Sequence, residues 1–143
     1  MKKTLTLSLA LLLVISTIAA CDGTQYEDKG VEGSPSRVID KFFDSSLEHA
    51  VKLCSSNLDP LHIEDILEKS ATETYNHILY HMVLTQKDGY DSYENIHGKR
   101  PELGKNETIY GIVVTREMGG AGYVIIVKNP KTEKYYIKEI ELE

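Results

Sequence analysis

The sequence predicts an α+β domain, with N-terminal helices packed on an antiparallel sheet. Three observations carry this. Between residues 35 and 83, apolar residues recur at three- and four-residue spacing, the helical period. Between residues 108 and 142 lie three runs rich in β-branched and aromatic residues, which suit strands. The links between those runs are short, so the strands should form an antiparallel meander, and helices that precede it cover one of its faces. A chain of 143 residues has room for one such domain.

The chain opens with an address. Met1-Lys2-Lys3 is positive, residues 4–20 are uncharged and mostly apolar, and the run ends in small residues, the layout of an export signal. Ile18-Ala19-Ala20-Cys21 resembles the lipobox of bacterial lipoproteins, with an aliphatic residue, two small residues and the Cys in their expected places. The resemblance implies that residues 1–20 are a signal peptide cut before Cys21, that the Cys21 sulfur is diacylated and that the new amine is acylated, with palmitate-type chains. Two or three such chains, at about 0.8 kcal/mol per buried methylene, make a stable anchor where one would not. Asp22 resembles the inner-membrane retention signal of enterobacterial lipoproteins. That rule belongs to one bacterial group, so the sequence leaves inner and outer membrane open. Removing residues 1–20 leaves 123 residues with a side-chain net charge of -8. Cys54 is then the only free thiol, and core packing alone must hold the fold.

Residues 21–34 read as the lipidated Cys and a flexible tether: they carry three Gly and four acids, with Tyr26 and Val31 the only sizeable apolar groups. The domain should occupy residues 35–143. Ser34-Pro35 is a helix start, Ser as N-cap and Pro at the first helical position. Val38, Ile39, Phe42, Phe43, Leu47, Ala50, Val51, Leu53 and Cys54 follow at helical spacing, which predicts one helix of about 20 residues. Asp59-Pro60 repeats the start signal, and the stripe runs from Leu61 through Ile63, Ile66 and Leu67 to Tyr75, Ile78, Leu79, Met82 and Val83. Residues 70–74 have weaker helix propensity, so this element is one helix or two with a bend.

After Gln86 the pattern weakens. A structureless link of some 20 residues is unusual in a compact domain. Tyr90, Tyr93 and Ile96 therefore predict a short strand near 91–97. Residues 108–117, 123–128 and 134–142 predict the meander, joined by the Gly-rich run 118–122 and by a turn at Asn129-Pro130-Lys131-Thr132. In the last strand Tyr135 and Ile137 share one parity, Ile140 and Leu142 the other. The slip means a β-bulge, placed near Lys138, or a sheet apolar on both faces.

Ser34-Pro35, Val38-Ile39, Phe42-Phe43 and the terminal meander together resemble the NTF2-like superfamily, in particular small bacterial lipoproteins with a lumazine-binding-like cone. The resemblance covers residues 35–142 and implies a curved sheet with a cavity between its concave face and the helices. The family usually carries a Trp in the final strand, where this chain has Tyr135-Tyr136.

Few residues point to chemistry. Cys54 lies on an apolar helix face and reads as a buried structural thiol, since His49 is not placed to activate it. His77 and His81 sit four apart with Glu73 another four back, the spacing of helix-borne zinc ligands, yet two histidines fall short of a zinc set and both lie off the apolar stripe. They are weak candidates, and no metal or cofactor is expected. The Gly-rich run lacks the Lys-Ser/Thr and following helix of a phosphate loop. Glu139, Glu141 and Glu143 read as a wet face or protective edge. Nine Tyr against two Phe and no Trp is the one oddity, and Tyr75, Tyr110 and Tyr123 are candidate pocket walls.

The acidic balance argues against a nucleic-acid binder. The expectation is an envelope lipoprotein, held to a membrane through Cys21, that acts as a non-catalytic binding or protein-interaction module. Its partner would be an envelope protein or a small apolar ligand. Two alternatives stand. One is a small NTF2-like enzyme with Asp44, His49, His62 or His97 as a buried acid/base group in an apolar cavity. The other is an inhibitor or immunity-type lipoprotein with a surface patch of Tyr and acids.

Overall fold

The computed structural model describes residues 25–70, 85–114 and 120–143. Among the described residues, four helices precede a three-stranded antiparallel sheet of order β1-β2-β3, an α+β architecture. The helices are α1 (Pro35–Phe43), α2 (Leu47–Leu53), α3 (Pro60–Ser70) and α4 (Gln86–His97), and the strands are β1 (Glu107–Val114), β2 (Gly120–Lys128) and β3 (Tyr135–Leu142).

The helix starts follow the sequence. The Ser34 side chain accepts from Arg37 N, with Pro35 behind it, and Asp59 Oδ1 accepts from Leu61 N. The single helix expected over residues 35–54 is instead two. Ser45 and Ser46 are weak helix formers that bond readily to nearby backbone. The α1 hydrogen-bond ladder ends at Asp44 and Ser45, and Ser46 O begins a new one by accepting from His49 N and Ala50 N. The turn between the helices lets Phe42 and Phe43 of α1 and Ala50 and Leu53 of α2 reach one core.

The strand expected near 91–97 is the C-terminal part of α4. Thr85 caps this helix, its Oγ1 accepting from Asp88 N while its hydroxyl donates to the Asp88 carboxylate. Gly98 closes it at a φ of 70°, a left-handed conformation that favours glycine. Tyr90, Tyr93 and Ile96 lie three apart and form its narrow apolar stripe.

The meander is as expected, with β2 starting at Gly120 rather than at Tyr123. The bulge falls on Lys138: Ile125 pairs with Glu139 and Ile126 with Ile137, leaving Lys138 without a partner in β2. This extra residue brings Ile137, Ile140 and Leu142 onto one face, despite their opposite parity.

The sheet is covered on both faces, whereas helices on one face were expected. Val38, Ile39, Phe42, Ile63 and Ile66 from α1 and α3 pack against Ile112, Val124, Ile126, Ile137 and Ile140, all of them fully buried. On the opposite face α4 covers Ile109, Tyr123 and Ile125. Its approach is close: a Cβ on Gly111 would lie 2.5 Å from Asp88 Cβ, and one on Gly89 would lie 2.6 Å from the Tyr110 carbonyl carbon.

Residues 26–31, expected as free tether, are docked on the domain. Val31 and Tyr135 exchange two backbone hydrogen bonds of 3.0 and 2.8 Å at the outer edge of β3. Further along that edge Ser55 N donates to Ile137 O, His62 Nε2 bonds to Ile140 O at 2.8 Å, and Lys69 Nζ donates to Leu142 O at 3.4 Å. The edge that would otherwise template another strand is sealed along its length.

Candidate functional site

The residues with the most concentrated chemistry lie on the α4 face. One turn from the end of α4, Tyr93 projects toward the sheet, and His97 follows four residues later on the same side of the helix. Their rings pack at a tilt with centroids 4.4 Å apart, and Tyr93 also meets Tyr123 at 4.8 Å. Tyr123 is buried to 1% exposure, and its hydroxyl is held from both sides. It donates to Glu139 Oε1 and lies 2.7 Å from His97 Nε2. The single hydroxyl proton faces the carboxylate, so Nε2 carries a proton and donates to the tyrosine oxygen. A relay thus runs from α4 through β2 to β3.

Burial pushes the Tyr123 hydroxyl far above its ordinary pKa, and the hydrogen bond and negative charge of Glu139 push it the same way. Tyr123 therefore keeps its proton across the physiological range. It serves as a neutral donor and acceptor and not as a nucleophile.

Beside the relay is a depression of about 280 Å³ with Ile125 and Tyr93 among its lining residues, together with Lys99, Arg100, Lys138 and Glu139. Several of the charges are already engaged. Lys138 Nζ lies 2.7 Å from Glu107 Oε1. The Arg100 guanidinium sits 5.4 Å from the centre of the Tyr90 ring, and its Nε is 3.6 Å from Glu94. The surface is amphipathic: aromatic rings, an apolar residue and charges of both signs.

The residues singled out in the sequence are dispersed. Tyr110 and Tyr123 sit on adjacent strands but on opposite faces, Tyr110 with the α1–α3 core and Tyr123 under α4, so they do not wall one pocket. Tyr75, His77 and His81 lie outside the described residues. Among the described residues, no three His, Cys, Asp or Glu side chains are grouped to hold a metal ion. Cys54 is fully buried, and that burial raises its thiol pKa to about 12, with Lys29 opposing weakly. Asp44 and His49 are exposed, and His49 Nδ1 pairs with Ser46 Oγ at 2.9 Å. His62 spans the edge of β3, its Nε2 2.8 Å from Glu141 Oε2 as well as from Ile140 O. His97 is 37% exposed at the rim of the relay. None of these four sits in a closed apolar pocket.

The relay was missed in the sequence because its three members come from separate elements, one of them read as a strand. The available signal was Tyr93 and His97 at four-residue spacing behind a Thr-x-x-Asp start.

Comparison with known proteins gives no match: no family model matches the chain, nor does any curated protein or solved structure. Among the described residues, no helix is long and apolar enough to cross a membrane.

Proposed function

We propose that the chain is a bacterial envelope lipoprotein, anchored through lipid on Cys21, whose domain is a non-catalytic module for binding an envelope protein or a small ligand. The anchoring half rests on Ile18-Ala19-Ala20-Cys21 and on the position of that motif ahead of every described residue. The recognition half rests on one observation, the Tyr93–His97–Tyr123–Glu139 cluster beside an open amphipathic depression. Aromatic rings with polar tips are what an interface uses to combine apolar contact with hydrogen-bond specificity.

The NTF2-like cone belongs to the same proposal. Helices ahead of a meander and a bulged last strand favour it, while α4 on the second face is this chain's own departure from it. The enzyme alternative needs an inward acid or base, and Asp44, His49, His62 and His97 all reach the surface. The inhibitor or immunity-type alternative draws on the same Tyr- and acid-bearing surface as the module.

Metabolic labelling with an alkyne fatty acid tests the anchor: wild-type chain takes up label and Cys21→Ala does not. Label retained in Cys21→Ala would refute it. Capture from the native envelope tests the module. A protein or ligand recovered with wild type and lost with Tyr93→Ala supports recognition at this surface, and unchanged recovery places it elsewhere.

A further inference from the structure

The docked strap, residues 26–31, changes what the anchor does. Tyr26 OH accepts from Asn106 Nδ2 at 2.6 Å, and Glu27 O accepts from Asn129 Nδ2 at 2.9 Å. The Glu27 carboxylate accepts from Ser55 Oγ, Ser56 N and Ser56 Oγ at 2.6–3.0 Å and lies 3.5 Å from Lys29 Nζ. Lys134 Nζ pairs with Asp28 at 2.8 Å. Gly30 runs so close to β3 that a Cβ there would lie 1.8 Å from Tyr135 O, and its φ of 83° is one that glycine alone adopts freely.

Two consequences follow. First, fewer residues separate Cys21 from the docked chain. A tether to Ser34 reaches about 45 Å, but one that ends at Tyr26 reaches about 18 Å. Second, two of the four acids of residues 21–34 are paired within the fold, Glu27 with Lys29 and Asp28 with Lys134. The strap begins at the end of the sheet that carries Lys105 and the β2–β3 turn with Lys128, Lys131 and Lys134. Glu27, Asp28, Glu32, Glu107 and Glu133 lie at this end too, so its lysines are balanced by acids: Lys128 pairs with Glu133 and Lys134 with Asp28. The other end of β3, about 23 Å away at a strand's rise per residue, carries Glu143 and the Glu141–His62 pair, with Lys69 bonded to Leu142 O.

We propose that the strap holds the domain down on the membrane with its β2–β3 turn end toward the headgroups and its Glu141–Glu143 end facing away. This rests on the reading of Cys21 as the lipid anchor. The short reach from Cys21 to the docked strap sets this orientation.

The test uses acylated chain in vesicles of phosphatidylcholine and phosphatidylglycerol that contain headgroup-spin-labelled lipid. A fluorophore is placed on Lys131→Cys or on Glu143→Cys. Cys54 is buried and Cys21 acylated, so neither competes for the label. Quenching should be several-fold stronger at 131 than at 143. Gly30→Ala, or Glu27→Ala if the former misfolds, frees the strap and should bring the two positions together. Equal quenching in the acylated parent, or stronger quenching at 143, overturns the orientation while leaving the anchor intact. Chain recovered without acyl groups on Cys21 overturns both.

Discussion

The two faces of the sheet are built differently. The α1–α3 face is dry: its buried side chains are aliphatic, phenyl or the Cys54 thiol, with Tyr110 and Tyr135 half-buried at its margin. The α4 face has three buried residues, Ile109, Tyr123 and Ile125, and is completed by half-buried Tyr90, Tyr93, Ile96 and Leu103. A hydrogen-bond relay runs through it. Burial of apolar area scales with stability, whereas a satisfied polar network fixes one arrangement. The dry face accordingly carries the fold, and the α4 face carries a defined surface.

The largest effect should come from the dry face. Phe42→Ala removes a fully buried ring and should cost about 3–5 kcal/mol in denaturant unfolding. A cost below about 1 kcal/mol would contradict its role. Gly111→Ala tests the closeness of α4 to β1. The added methyl meets Asp88 and should cost about 1–3 kcal/mol. Hydrogen exchange should quicken in α4 while α1–α3 keep their protection, and uniform quickening would mean that the faces are not separable.

The outer edge of β3 runs between the faces, and Glu27 clamps the strap to it. Burial pushes the Glu27 carboxyl up, but its hydrogen bonds from Ser55 and Ser56 and the charge of Lys29 together hold it below its ordinary value of 4.5. Its contribution is therefore complete above that value and is lost as pH falls through the lower folded pKa. The Val31 amide should lose protection over that acid window, and Glu27→Gln, worth about 1 kcal/mol, should remove this part of the pH dependence. Tyr123→Phe is the mildest change, about 0.5–1.5 kcal/mol. A double-mutant cycle with Glu139→Gln should show coupling, and strict additivity would dissolve the relay.

What was legible in the sequence was local or periodic. Ser34-Pro35 and Asp59-Pro60 announced helix starts because caps act within one turn, and the parity slip from Ile137 to Ile140 located the bulge because side chains alternate strictly along a strand. Cys54 was legible as core from its place in the stripe. The break at Ser45-Ser46 lay hidden under a continuous apolar period. Helix α4 was hidden by Gly89 and by a stripe only three residues wide. The strap was unreadable for a different reason. Its hydrogen bonds reach partners 25 to 109 residues away, and a polar, Gly-bearing segment looks the same whether solvated or docked. The Tyr123 relay shares that origin.

The claim on which the functional account turns is the lipid on Cys21, and the intact mass of chain extracted from native membranes tests it most directly. The account predicts a 123-residue chain that begins at Cys21 and carries two or three acyl groups. A mass for an unmodified Cys21, for a cut at another bond, or for the full 143 residues would contradict it.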